Sequence, residues 1–197
     1  LMADPAYIVN GVLIDGEAWV ALASTTVAGS PVASVEYESP DDGSSLDWCQ
    51  FMDLVVIMYI QDGVTSQATG EISLKINDNG TNANYKQQLL SGNGSSAAAS
   101  NPAASRIVAE VPAVDSGGTT IFGSSVIYFF DINSGKYKSV LCQNAADRDG
   151  AGTVAIRSIA FTGDQEAISM LRFGATELNI AVGSKIDLFG VLPRMVA

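Results

Sequence analysis

Between Glu71 and Ile76 the chain alternates: Ile72, Leu74 and Ile76 are apolar, while Glu71, Ser73 and Lys75 are polar. A period of two puts every apolar side chain on one side of an extended backbone, so this segment is predicted to be a strand with one wet face. Asn77-Asp-Asn-Gly80 follows at once. Asn-Gly tolerates the positive φ angles of a tight reversal, and the chain is predicted to turn back there.

Comparable patterning covers residues 7–14, 18–22, 32–38, 46–60, 106–111, 120–132, 136–142, 153–161, 167–173 and 185–192, mostly bounded by Gly, Asn, Asp, Ser or Pro. The runs 54–60 and 126–130 are continuously apolar and rich in β-branched and aromatic residues, which suits central strands covered on both faces. No segment shows a long helical period capped at both ends. About ten strands at short spacing predict an all-β fold, an antiparallel β-sandwich with a jelly roll as the expected arrangement. A chain of 197 residues fits one such domain. The sandwich is assigned to residues 36–197, and residues 1–35 form a short N-terminal arm or the first strands. The stretch 91–105, SGNGSSAAASNPAAS, has too little apolar area to offset its ordering entropy and is predicted to be a flexible surface loop within the domain.

Charge removes some partners. Lys and Arg total 10 against 21 Asp and Glu, a net charge of −11 with no basic run to follow a phosphate backbone, so no nucleic-acid partner is expected. The acidity reads as solubility and mutual repulsion between free copies, with a basic partner surface as the alternative. The longest apolar run has seven residues, 54–60, against the roughly 20 that a membrane-spanning helix needs, and no membrane partner is expected. No basic residue precedes the first apolar stretch, so a secretory leader is not expected. Cys49 and Cys142 both lie in apolar strand-like stretches and are expected to be buried free thiols, a single bridge between adjacent strands being the alternative.

The chain has no histidine, which excludes Ser-His-Asp, Cys-His and HExxH chemistry. A carboxylate-pair glycosidase needs only two acids at suitable separation, for which Asp41, Asp42, Glu36, Glu38 and Glu71 are the nominees; solvated turn and strand-face acids are the plainer reading. Asp147-Arg-Asp149-Gly150 contains the D-x-D-G kernel of calcium loops, but an EF-hand frame would place Ala145 first and Ile156 twelfth, and neither can ligate. A turn is expected. The Gly-rich pieces 115–118 and 149–152 lack the Lys-Ser/Thr of a phosphate-binding loop and also read as turns. Trp19, Trp48, Tyr37 and Tyr59 could form a platform for sugar rings, against core packing for Trp48 and Tyr59. No catalytic, cofactor-binding or metal residue is assigned, no cofactor is expected, and the chain is not expected to be an enzyme.

Three stretches carry a family resemblance. The C-terminal pair is 168–174, ISMLRFG, followed by Gly183-Ser-Lys-Ile-Asp-Leu-Phe-Gly-Val191. Upstream, 126–133 with Lys136-Tyr-Lys-Ser139 forms a hairpin-like unit, and 46–60 a long strand beginning with an Asp and an aromatic residue. Together they resemble a β-sandwich domain of virion proteins in tailed bacteriophages, whose closing strand runs Gly-Ser/Thr-x-Ile-x-Leu-Tyr-Gly-Val/Ile. Here Phe189 stands at the Tyr position, and the tail 192–197 is added. The resemblance implies a capsid decoration (cement) protein on the capsid exterior, homotrimeric and bound to the major capsid protein. A tail-fibre or receptor-binding domain for host-surface glycans is the alternative. With no coiled-coil or repeat segment to build a shaft, decoration is favoured, and residues 2–35 are the candidate attachment arm or first strands, simple pairing at the sandwich edge being the alternative.

Overall fold

A computed structural model describes residues 8–9, 12–13, 19–64, 69–102, 105–114, 121–146, 152–176 and 179–192. In chain order its strands are β1 (Ile8–Val9), β2 (Val12–Leu13), β3 (Trp19–Thr26), β4 (Ser34–Glu38), β5 (Asp53–Ile60), β6 (Thr69–Ile76) and β7 (Tyr85–Gly92). They continue as β8 (Ala97–Ser100), β9 (Ile107–Pro112), β10 (Gly123–Phe130), β11 (Lys138–Ala146), β12 (Thr153–Phe161), β13 (Met170–Ala175) and β14 (Lys185–Val191). β1 and β2 form a separate two-stranded sheet. The rest build an eight-stranded sheet ordered β3-β14-β5-β10-β11-β12-β7-β8 and a four-stranded sheet ordered β4-β13-β6-β9. All their strand pairings are antiparallel.

The alternation read from the sequence decides which side chains meet. Ile72, Leu74 and Ile76 of β6, with Leu171 and Phe173 of β13, point from the small sheet into a core shared with the large one. Leu54, Val56, Met58 and Ile60 of β5, Ile127 and Phe129 of β10, and Ile186 and Leu188 of β14 meet them there, all essentially inaccessible. Each such side chain contributes roughly 1.5–3 kcal/mol by leaving water. The fold is therefore an all-β sandwich. The two Greek keys of a jelly roll are not established, because β10, β11 and β12 run as a plain meander within one sheet.

Among the described residues, four polar side chains bond across the interior. The Tyr37 hydroxyl on β4 donates to the Ile186 carbonyl at 2.7 Å. On β7, the Tyr85 hydroxyl donates to the Asn79 carbonyl at 2.8 Å and accepts the Ile76 amide at 2.9 Å. Gln87 Nε2 donates to the Ile107 carbonyl at 2.6 Å and Asn144 Nδ2 to the Glu110 carbonyl at 3.0 Å. The last two satisfy backbone acceptors of β9, the edge strand of the small sheet, whose carbonyls would otherwise be shielded from water without partners.

Several expectations change. Residues 46–60 are not one strand: Trp48–Gln50 is a turn of 3₁₀-helix, and β5 begins at Asp53. The Asp47 carboxylate causes the break by accepting the Cys49 and Gly43 amides, both at 2.9 Å, and these bonds hold its pKa below the ordinary value. The stretch 91–105, expected as a flexible loop, contributes the end of β7 and all of β8. Asn93 makes the reversal, its side chain accepting the Ser95 and Ser96 amides at 3.2 and 2.9 Å. All four β8 residues are exposed, so backbone pairing at a sheet edge holds this segment rather than burial. Within residues 1–35, β3 pairs with β14 at the edge of the large sheet. Both cysteines are free, but Cys49 is exposed and Cys142 alone is buried. The runs 54–60 and 126–130 do form central strands, but their outer faces are only partly covered within the chain: Val55 is buried there, whereas Ile57 and Tyr59 are exposed.

Candidate functional site

The two outer faces have opposite character. On the small sheet, Glu36 of β4, Arg172 of β13 and Lys75 of β6 are register partners in one cross-strand row. The Arg172 guanidinium bonds to the Glu36 carboxylate and to Asp78 Oδ1 at 2.8 Å, and Lys75 Nζ lies 3.5 Å from the same Asp78 oxygen. The bond to Glu36 raises the Arg172 pKa. The face is hydrated and charged.

That face holds most of the nominated acids without making them a catalytic pair. Glu36 is tied to Arg172. Glu38 lies opposite Met170. Asp42 accepts the Ser44 amide at 2.8 Å in a turn where Asp41 has φ 50°, and the bonds from Ser44 lower the Asp42 pKa. Glu71 is the register partner of Glu110, a juxtaposition that no single strand reveals because it depends on the pairing of β6 with β9. Asp147 and Asp149 lie outside the described residues. Among the described residues no group of three or more His, Cys, Asp or Glu is placed to hold a metal ion.

The four nominated aromatics are dispersed. Trp48 and Tyr37 are buried, whereas Trp19 and Tyr59 are exposed near opposite ends of the large sheet's strands. Trp19 packs on Phe189 with ring centroids 5.9 Å apart, and Tyr59 stacks on Phe122 at 4.7 Å. No shared platform exists among these four.

The outer face of the large sheet carries several exposed large apolar side chains, interspersed with Ser124, Gln143, Ser158, Lys185 and Asp187. Register aligns Asp187, Ile57, Val126, Gln143, Ile156 and Leu90 in one row across six strands. A second row runs Lys185, Tyr59, Ser124, Ala145, Val154, Gly92, and a third Phe189, Val55, Tyr128, Leu141, Ser158, Gln88. Val154 is 63 % exposed and Leu90 55 %, values that large apolar side chains reach together only on an uncovered patch. The charges of Lys185 and Asp187 at its margin are paired at 3.4 Å. Small residues leave two adjoining open hollows. One of about 530 Å³ lies between Tyr59–Phe122 and Val154, over Ser124 and Ala145. The other, of about 340 Å³, lies over Val126 and Gln143.

Among the described residues two basic side chains, Arg157 and Lys138, are buried. Arg157 donates from Nη1 to Asn144 Oδ1 at 2.7 Å while its Nε has no hydrogen-bond partner, and burial lowers its pKa. Lys138, at the first position of β11, likewise has a buried Nζ without a hydrogen-bond partner. Burial lowers its pKa, partly countered by Asp131 and Asp164. The sequence offered one signal for both, a basic residue at an inward position of an alternating strand. Compared with family models, curated proteins and solved structures, the chain matches none.

Proposed function

We propose that this chain is a structural component of a bacteriophage particle, a decoration protein that binds the outside of the major capsid protein as a homotrimer and stabilises the shell. The observation that carries the assembly part of this reading is the uncovered apolar face of the eight-stranded sheet. A surface of this kind gains free energy by being covered, at about 25 cal/mol per Å². The resemblance of 183–191 supports the virion part, and those residues form the turn at Gly183 and the central strand β14. Stabilisation would follow from mass action, since a protein that binds the assembled shell and not its dissociated subunits shifts the equilibrium toward the shell. The residues ahead of β3 are the proposed attachment arm.

The test is to mix purified protein with empty capsids of a tailed phage and locate it by reconstruction. Saturable density on the shell exterior and a raised disruption temperature are expected; density on the tail, or no binding, overturns the reading. A receptor-binding role is the second reading, favoured by the hollow of about 530 Å³ beside the stacked Tyr59 and Phe122. It predicts glycan-array hits that disappear in Tyr59→Ala.

A further inference from the structure

We infer that the outer face of the eight-stranded sheet is the surface through which copies of this chain bind one another, the ridge of one copy entering the hollow of the next. This assigns a surface to the oligomer in the reading above and draws on that reading only for the expectation that copies associate.

The strands themselves supply the first argument. Continuous apolar runs such as 54–60 and 126–130 belong to strands buried on both faces. Here the small sheet covers the inner one; on the other Val55 is buried but Ile57 and Tyr59 are exposed, as are Val154 and Ile156 of β12 and Leu90 of β7. The composition of these strands therefore anticipates a second cover.

Shape supplies the second. Val154, Ile156 and Leu90 on β12 and β7 make a ridge. The hollows over Ser124, Ala145 and Gln143 border this ridge, with Val154 and Ile156 among the side chains that line them. Ridge and hollow stand side by side on one face, so a closed oligomer can seat each ridge in a neighbouring hollow with every copy contributing the same surface.

Charge and area select a copy over another partner. With a net charge of −11, two molecules repel wherever their acidic surfaces meet. On this face the Lys185–Asp187 pair is internally neutral and the ridge and hollows carry no ionised side chain, so copies can approach here without opposing carboxylates. A basic partner would be drawn instead to the carboxylates of the small sheet. Six strands at about 4.8 Å and six residues at about 3.4 Å outline roughly 600 Å² per copy, close to the ~800 Å² per partner of a standard stable interface.

The experiment measures mass in solution by light scattering and sedimentation over a wide concentration range, on the full chain and on Ile156→Asp and Leu90→Asp. Both positions are exposed, so the charge should leave the fold intact, as circular dichroism will verify. Expected are a dimer or trimer for the unmodified chain and a shift to monomer in each variant, with association weakened about 100-fold or more. Hydrogen exchange on the unmodified chain gives a readout independent of any variant: dilution should deprotect segments 124–126 and 154–156 and leave β6 unchanged. A chain that stays monomeric, an oligomer indifferent to both substitutions, or exchange insensitive to dilution each overturns the inference. Capsid mixing separates the two proposals. An oligomer that ignores shells leaves this interface standing and removes the decoration role, whereas a monomer that binds shells does the reverse.

Discussion

The Tyr85 hydroxyl accepts the amide of Ile76 at 2.9 Å, joining a strand of the large sheet to the last residue of β6 in the small one. The same hydroxyl donates to the Asn79 carbonyl, so one oxygen holds both the end of a strand and the turn after it.

Tyr85→Phe keeps the ring, which packs on Phe161 with centroids 5.0 Å apart, and removes only these bonds. A buried amide and a partly buried carbonyl lose this partner, and the expected loss is about 1–3 kcal/mol, read as a lower urea midpoint with unchanged slope.

Alkaline pH should weaken the fold in two steps. Burial pushes the Cys142 thiol from 9.0 to about 12 and the Tyr85 phenol from 10.0 to about 12. Both folded values are raised, so the unfolded chain releases these protons first and stability falls as pH climbs, from about 9 through Cys142 and from about 10 through Tyr85. Cys142→Ala should flatten the first part of the decline and Tyr85→Phe the second, in urea titrations at stepped pH.

Lys138 should show the opposite sign. Its folded pKa lies below the ordinary 10.5, so the unfolded chain holds the extra proton across the intervening window and stability there rises with pH. Lys138→Met fills similar space without the ammonium. A gain of about 1–3 kcal/mol at pH 7 and loss of this rising component are expected from denaturant unfolding at pH 7 and at stepped pH up to 10.5.

Gly190 leaves room for an aromatic ring. A Cβ there would sit 2.5 Å from Phe51 ring atoms, so Gly190→Ala should cost about 1–3 kcal/mol. Phe51→Leu alone should also destabilise, but the double variant should lose less than the sum of the two, a coupling that a double-mutant cycle on thermal or urea unfolding measures.

Thiol labelling should distinguish the cysteines. Cys49 is exposed and reacts in the native state, slowed because its hydrogen bond to Asp47 raises the thiol pKa; Cys142 reacts only on unfolding. Asp47→Asn should accelerate the first reaction and leave the second tied to denaturant.

Much of the fold was legible because burial follows alternation. Residues 153–161 read as a strand and are β12. β7 escaped because Gln87 occupies an inward position and breaks the apolar period, for a reason supplied by the β9 carbonyl across the interior. β8 escaped because no burial accompanies it, only pairing. The large sheet's outer surface was half visible: the runs 54–60 and 126–130 announced strands with two apolar sides, but register alone brings Ile57 beside Val126 and places Ile156 and Leu90 in the same row. The juxtaposition of Glu71 and Glu110 was invisible for the same reason.

The hydrogen bonds from Tyr37, Tyr85, Gln87 and Asn144 across the interior have a mechanical consequence. Two apolar layers held by contact alone can slip sideways at little cost, since one greasy surface replaces another. Here a displacement of one residue would strand donors and acceptors at both ends of the sandwich together. The domain should therefore resist shear as a single stiff plate, and force applied to one sheet is handed to the other without creep.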